Sequence, residues 1–114
     1  MEYRLELNNP HTAILHLKDS VTVYQLQKMR ALLDEIKDKL RGRKRLIFDF
    51  SSLVFMDPLA LGVIVAFSKE FREKGGDIRI VNMKGDLKRI FEESRLSRVY
   101  ETYESVQEAE RSFV

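Results

Sequence analysis

Cysteine is absent from this chain of 114 residues. Disulfide frameworks and zinc sites built from thiolates are therefore excluded, and the composition suits a reducing compartment. Long hydrophobic runs are absent too, because no stretch reaches the roughly 18 apolar residues that a membrane-spanning helix needs. The first residues also lack the basic and apolar segments of a secretory signal. We therefore expect a cytoplasmic protein that does not insert into a membrane.

An excess of charge of one sign is missing as well. The chain has 20 Lys and Arg residues against 18 Asp and Glu residues, which leaves a formal net charge of +2. That charge is too small to steer the whole molecule toward nucleic acid or an anionic membrane. The basic cluster between Lys39 and Arg45 has no interleaved aromatic residues, so we interpret it as a solvated helix end. No nucleic-acid partner is expected.

Catalytic motifs are also lacking. The sequence contains neither a phosphate-binding Gly-x-x-x-x-Gly-Lys-Ser/Thr run nor a Gly-x-Ser-x-Gly elbow. Asp49 and Asp57 are better explained as a strand-end residue and a helix cap than as an acid–base pair, and His11 and His16 lack carboxylates at metal-ligand spacing. We therefore expect no enzyme, no catalytic residue, no metal and no cofactor. A small enzyme or ligand carrier would instead need a deep polar pocket at the end of the sheet.

The residues that are present have the composition of an ordinary packed domain. Hydrophobic residues make up 44% of the chain and charged residues 33%. A chain of this length can bury about two thirds of its unfolded surface, which is enough for one core. We predict a single domain that spans residues 1–114.

The first half of the chain changes from alternating to helical spacing. Two alternating runs, separated by the turn residues Asn8 to His11, predict a β-hairpin; their apolar members are Tyr3, Leu5 and Leu7, then Ala13, Leu15 and Leu17. From Val23 the apolar residues recur every three or four positions through Leu40, which predicts an amphipathic helix. Ser20 or Thr22 can cap this helix, and Gly42 ends it.

The second half alternates strands with helices. The predicted elements are a strand at Arg45 to Phe50, a helix at Pro58 to Lys74 ended by Gly75-Gly76, a strand at Ile78 to Val81, a helix from Lys84-Gly85 or Asp86 carrying Leu87, Ile90 and Phe91, a short strand near Val99-Tyr100, and a helix from Ser105 to Phe113 opened by a capping box with Glu108. This order, β-β-α-β-α-β-α-β-α, predicts an α/β fold with about four helices. Its mixed sheet is antiparallel at the hairpin and parallel elsewhere.

The junction between the third strand and the second helix has the sharpest local signal. Asp57 is a strong N-cap, and Pro58 fits the first helical position because its φ is already close to the helical value. The first turn then presents Leu59 and Ala60, neither of which is a nucleophile or a charge. These two residues either pack in the core or form an exposed docking contact. Because helix starts after parallel strands face the ligand side of α/β sheets, we favour the docking contact.

Several short motifs in this order resemble the STAS domain of bacterial anti-sigma factor antagonists. They are Phe55-Met56-Asp57 after the strand, Leu61 to Ile64 in the helix, Gly75-Gly76, and Leu87 to Phe91. The resemblance implies a STAS-like fold and a non-enzymatic module of transcription regulation. Its partner would be an anti-sigma factor that is also a serine kinase, and docking would free the sigma factor.

The resemblance also implies a missing switch. In that family the junction typically reads Asp-Ser-Ser-Gly-Leu-Gly, and its second serine accepts the phosphate that ends binding. Here the six residues from Asp57 to Gly62 read Asp-Pro-Leu-Ala-Leu-Gly. Leu59 therefore occupies the acceptor position and has no hydroxyl, so no phosphorylation is expected at the family position. Thr22 stands where the family usually has an acid ahead of the first helix.

From the junction and the resemblance together we predict a set of partner-binding residues: Thr22, Asp57, Pro58, Leu59, Ala60 and Leu61. The predicted partner is an anti-sigma factor or another regulatory protein. The alternative is a STAS-type subunit of another assembly, such as a stressosome-like scaffold or the partner of a lipid transporter. The apolar face at Leu59 could instead join two copies in a homodimer.

Four other hydroxyl side chains lie near the junction in the predicted fold. Ser51 and Ser52 are predicted to lie on the loop before the second helix, and Ser20 and Thr22 near the same end of the sheet. Local turn and cap hydrogen bonds account for all four. We therefore name no substitute phosphorylation site.

Overall fold

Five strands and four α-helices make up the fold in a computed structural model that describes residues 1–98 and 100–113. In chain order the elements are β1 (Glu2–Leu7), β2 (Thr12–Val21), a 3-10 turn (Val23–Gln25), α1 (Leu26–Lys39), β3 (Arg45–Met56), α2 (Pro58–Glu73), β4 (Asp77–Val81), α3 (Gly85–Glu93), a second 3-10 turn (Arg95–Arg98), β5 (Thr102–Tyr103) and α4 (Val106–Ser112).

The strands form one sheet in the order β1-β2-β3-β4-β5. β1 and β2 are antiparallel, and each later neighbour is parallel. The hairpin turn is held by the Asn9 side chain, whose Oδ1 accepts hydrogen bonds from the backbone N–H groups of His11 and Thr12 at 2.8 and 2.9 Å. The predicted mixed sheet is confirmed.

Both faces of the central strands are covered, which explains the unbroken apolar run at the start of β3. Leu46 and Phe48 belong to the main core, to which α1, α2 and α3 also contribute. Ile47, between them, belongs to a smaller cluster with Ala109 of α4 on the opposite face. Successive strand residues point to opposite faces, so a strand buried on both sides reads as continuously hydrophobic.

β3 is longer than predicted and ends at Met56, not at Phe50. It stays paired with β2 as far as Val21 opposite Met56, through two register shifts, the first between His16 and Lys18 and the second between Asp19 and Ser20. Each shift adds a residue to β3 and breaks the alternation of polar and apolar side chains, so the segment resembles a loop in the sequence.

This extension corrects the placement of two serines. Ser51 and Ser52 lie within β3, not on a loop. Both are exposed. The physical reason is the parallel pairing with β2, a contact between distant parts of the chain that local turn propensity does not report.

The boundaries of the remaining elements differ from the predicted ones by a few residues at most. The strand predicted near Val99-Tyr100 lies instead at Thr102–Tyr103; Val99 is outside the described residues, and Tyr100 is buried. Ser105 caps α4 by accepting from the Glu108 N–H, but the Glu108 carboxylate accepts from the Glu104 N–H instead of closing the capping box. α1 is preceded by a 3-10 turn whose N-cap is Thr22.

Candidate functional site

The junction between β3 and α2 is anchored on both sides. The Asp57 N–H donates to the Val21 carbonyl at 2.8 Å, which ties the end of β3 to the end of β2. The Asp57 carboxylate accepts from the Leu59 N–H at 2.9 Å, and Pro58 occupies the first helical position. These are the cap roles predicted for both residues, and they hold the first turn of α2 in one conformation.

The first turn of α2 separates the two roles that the sequence left open. Leu59 is 60% exposed, whereas Ala60 is fully buried and Leu61 is 4% exposed. Ala60 and Leu61 face the sheet side of the helix and belong to the main core. The predicted contact of Ala60 and Leu61 with a partner is therefore not supported by their burial, because this side of α2 packs on the sheet.

Four exposed apolar side chains lie on the segments that meet at the junction. Together with Leu59 they form what we call the junction patch: Val23, Tyr24, Val54, Phe55 and Leu59. Tyr24 is 94% exposed and Val54 84%. The sheet brings them together, because Phe55 pairs with Ser20 and Met56 with Val21, immediately before the turn that carries Tyr24. Large exposed apolar side chains grouped in one region of a surface are typical of a binding site.

Four members of the junction patch were missed by the sequence analysis. Val23 was assigned to the apolar face of a helix, and Val54 and Phe55 were read as loop residues. The signal that could have found the latter pair is the run Leu53 to Met56, four consecutive apolar residues at a point where a solvated loop was expected. Among the predicted residues, Thr22 lies beside the patch and is half-buried, with its N–H donated to Gln25 Oε1 at 2.9 Å.

An apolar groove of about 400 Å³ adjoins the patch between the end of β3 and α3. Its apolar walls come from both elements and from the junction; they include Leu53, Phe55, Pro58, Leu87 and Ile90. Lys84, Asp86 and Arg89 also line it, and Arg89 Nη2 lies 3.6 Å from Asp86 Oδ1, so the charged side chains of the groove are of both signs. The groove therefore continues the junction patch toward α3.

A polar cluster lies further along β3, around Asp49. This carboxylate is 6% exposed and accepts hydrogen bonds from His16 Nδ1 at 2.7 Å, Asn82 Nδ2 at 2.9 Å, and the N–H and hydroxyl of Ser51, each at 3.0 Å. Burial alone would raise the pKa of Asp49, but the hydrogen bonds from Asn82, Ser51 and His16 hold the pKa below its usual range. The other His16 nitrogen, Nε2, lies 3.0 Å from Glu6 Oε1.

The cluster has the geometry of a cross-link between strands. His16 lies between two carboxylates, and the Ser51 hydroxyl donates to Asp49, so neither ring nitrogen of His16 is placed to take a proton from Ser51. Within residues 1–98 and 100–113, no three His, Asp or Glu side chains converge on a point that could hold a metal ion. No helix in the same part of the chain is long and apolar enough to cross a membrane.

Comparison with known structures identifies the same fold in regulatory proteins. A putative anti-sigma factor antagonist from Thermotoga maritima has 21% identity and a TM-score of 0.83, with 96% of this chain and 92% of that chain covered. An anti-sigma factor antagonist from Mycobacterium paratuberculosis has 12% identity and a TM-score of 0.82, with 97% and 92% covered. The Bacillus cell fate determinant SpoIIAA, in its phosphorylated form, has 18% identity and a TM-score of 0.72, with 96% and 98% covered.

The family model of the STAS domain matches residues 6–109. This match runs from the end of β1 to α4 and includes the junction, the groove and the polar cluster. Since it takes in most of the 114 residues, the chain belongs to the STAS domain family.

Proposed function

We propose that this protein is an anti-sigma factor antagonist that acts in the cytoplasm, a non-enzymatic module that binds an anti-sigma factor or a related regulator through the junction patch. The observation that carries the proposal is the 60% exposure of Leu59 on a helix start that Asp57 caps and Pro58 begins. An exposed leucine on a fixed backbone can bind without first being ordered, which lowers the entropy cost of association.

The patch offers large apolar side chains to a partner. Burial of Leu59 alone would contribute on the order of 1–2 kcal/mol, and the neighbouring Tyr24 and Phe55 are aromatic side chains of the kind that dominate binding interfaces. Thr22, Asp57 and Pro58 frame the contact, while Ala60 and Leu61 hold α2 against the sheet. The adjoining groove would accept a further apolar side chain of the partner.

The regulation we propose follows from the side chain at position 59. A phosphoserine at a helix start adds about −2 charge, which can be stabilised by free N–H groups and repels a docked partner. Leu59 offers no hydroxyl for this modification. Binding through the junction patch is therefore constitutive in our proposal, or controlled by something other than a serine kinase acting at this position.

The proposal is tested by affinity purification from the source organism with wild-type protein and two variants. Leu59→Asp places a charge at the centre of the junction patch. Ala66→Asp is the matched control, because Ala66 is also exposed on α2, about two turns further along. We expect the partner to be recovered with the wild-type protein and with Ala66→Asp, and to be lost with Leu59→Asp. Equal recovery with Leu59→Asp would show that the patch is not the docking surface.

The alternative is a STAS-type subunit of another assembly, and the absence of a hydroxyl at Leu59 is the observation that favours it. Such a subunit would use the same patch without a phosphorylation switch. The two functions differ in the protein that is recovered. A kinase-like anti-sigma factor supports the first, and scaffold subunits or components of a lipid transporter support the second.

A further inference from the structure

The outer edge of β1 is an open strand edge at the opposite side of the sheet from β5. β1 pairs only with β2, in an unbroken register from Glu2 opposite Lys18 to Leu7 opposite Ala13. It contains no proline and no bulge, the two features that most often prevent an edge from pairing further. Within residues 1–98 and 100–113, the large exposed apolar side chains outside the junction patch are Tyr3 and Leu7, and both lie on β1.

The two faces of β1 have different chemistry. Glu2, Arg4 and Glu6 alternate in charge along one face, whereas Tyr3, Leu5 and Leu7 lie along the other. The side chains of Arg4 and Glu6 are 56% and 38% exposed, and Arg4 Nη1 lies 3.4 Å from Glu6 Oε1. On the other face, Lys39 at the end of α1 donates to the Tyr3 hydroxyl at 3.3 Å.

These side chains favour one self-pairing of the strand. In an antiparallel pair, two residues that face each other both point their N–H and C=O groups toward the other strand, or both point them away. These directions alternate along a strand. In a symmetric pair of identical strands one residue must therefore face its own copy across the two-fold axis. An axis at Arg4 would place Arg4 opposite Arg4 and Glu2 opposite Glu6 of the second copy. An axis at Leu5 places Arg4 opposite Glu6 and Tyr3 opposite Leu7. An axis at Tyr3 would also place Glu2 opposite Arg4, but within β1 it pairs only residues 2–4. The axis at Leu5 pairs opposite charges and apolar side chains along residues 3–7, the longer segment.

We propose that two copies of this protein associate through β1, antiparallel, with the two-fold axis at Leu5 and the two sheets continued into one. The interface contains two Arg4–Glu6 pairs, two Tyr3–Leu7 pairs and the central Leu5–Leu5 pair. Cross-strand neighbours of this kind have Cβ atoms about 5 Å apart, which is within reach of all these side chains. Because only a short segment pairs, the dimer is weak and its strength falls as salt is added.

The charges provide the first test, which is independent of the junction patch. Wild-type protein should show a concentration-dependent dimer in sedimentation experiments at low salt. Arg4→Glu and Glu6→Arg should each weaken it on the order of tenfold or more, since each variant creates two like-charge pairs. An equimolar mixture of the two variants restores both opposite-charge pairs and should form a heterodimer. A monomeric wild type at millimolar concentration, or no association in the mixture, would overturn the proposal.

A cysteine test does not depend on how the charge variants fold. The chain has no cysteine, so one introduced thiol reports one distance. With the axis at Leu5, Leu5→Cys brings two Cα atoms to about 4.5–5.5 Å, within disulfide range, whereas Leu7→Cys leaves them about 14 Å apart. Mild oxidation should cross-link Leu5→Cys and not Leu7→Cys. Cross-linking of Arg4→Cys in preference to Leu5→Cys, or equal yields from Leu5→Cys and Leu7→Cys, would refute the proposed register.

Discussion

His16 Nδ1 lies 2.7 Å from Asp49 Oδ2, and this contact joins β2 to β3 immediately before the first shift in their register. The same carboxylate accepts hydrogen bonds from Asn82 and Ser51. Asn82 follows β4, and Ser51 lies two residues after Asp49 in β3. Asp49 therefore ties three strands together just before β3 extends toward the junction.

Removal of the Asp49 carboxylate should destabilise the fold. Asp49→Ala would remove the buried acceptor that Asn82, Ser51 and His16 share, and the loss of several hydrogen bonds to one charged group costs about 2–4 kcal/mol in total. Chemical denaturation measures this loss of unfolding free energy. Asp38→Ala, at an exposed position in α1, should change it by less than about 0.5 kcal/mol. A similarly small effect for Asp49→Ala would show that the cluster is not a structural support.

Stability should depend on pH in the acidic range. The pKa of Asp49 in the folded protein is held below the ordinary value of 3.8, so the unfolded chain binds its proton first as the pH falls. Asp49 therefore makes its full contribution to the unfolding free energy above the ordinary pKa. That contribution is lost as the pH falls through the lower pKa of the folded protein. Denaturation curves should show falling stability below about pH 4 and a shallower decline for Asp49→Asn. An equal decline in both proteins would exclude Asp49 as a source of the pH dependence.

Loss of the Asp57 cap should weaken both the fold and the binding surface. Asp57→Ala removes the acceptor of the Leu59 N–H, and loss of an N-cap costs about 1 kcal/mol. Asp57→Asn keeps a side-chain oxygen and should retain most of the stability. Thermal unfolding of the two variants measures the difference. Equal stability of Asp57→Ala and wild type would mean that Pro58 alone is sufficient to begin the helix.

Substitution by aspartate should have very different effects on stability at two adjacent residues of α2. Leu59→Asp places a charge on an exposed position and should change the unfolding free energy by less than about 0.5 kcal/mol. Ala60→Asp buries an unpaired charge in the main core and should cost more than about 3 kcal/mol. Denaturant titration separates them. Strong destabilisation by Leu59→Asp would contradict the exposure on which the proposed docking contact rests.

A hydroxyl at position 59 should be sufficient to create a phosphate acceptor. Leu59→Ser would place its hydroxyl at an exposed helix start, where N–H groups favour a phosphate. Incubation with ATP and the cognate kinase, followed by mass spectrometry, should find phosphate in this segment only in Leu59→Ser. Phosphate on Ser51 or Ser52 of the wild type, with loss of partner binding, would contradict constitutive binding.

Much of the architecture was predictable because its signals are local. The turn after β1, the capped start of α2 at Asp57-Pro58 and the Gly75-Gly76 helix end each depend on residues adjacent in sequence. The continuous apolar run at Leu46 to Phe48 also indicated a strand covered on both faces. These signals were sufficient for the order of elements and for the mixed sheet.

The second half of β3 could not be predicted from local signals. Its pairing partner, β2, lies more than thirty residues away in sequence, as the separation of 33 between His16 and Asp49 illustrates. The two register shifts also remove the alternation by which a strand is identified. As a result Val54 and Phe55 were read as loop residues, and their proximity to Tyr24 was not foreseen.

The sequence by itself determined where α2 begins and which chemistry position 59 excludes, because a cap, a proline and a missing hydroxyl are properties of single residues. Only the tertiary structure decided that Leu59 is exposed and Ala60 buried, since that depends on which side of α2 packs on the sheet. It also decided that Val23, Tyr24, Val54, Phe55 and Leu59 form one surface. Exposure and proximity are set by packing between distant segments, and no single residue contains that information.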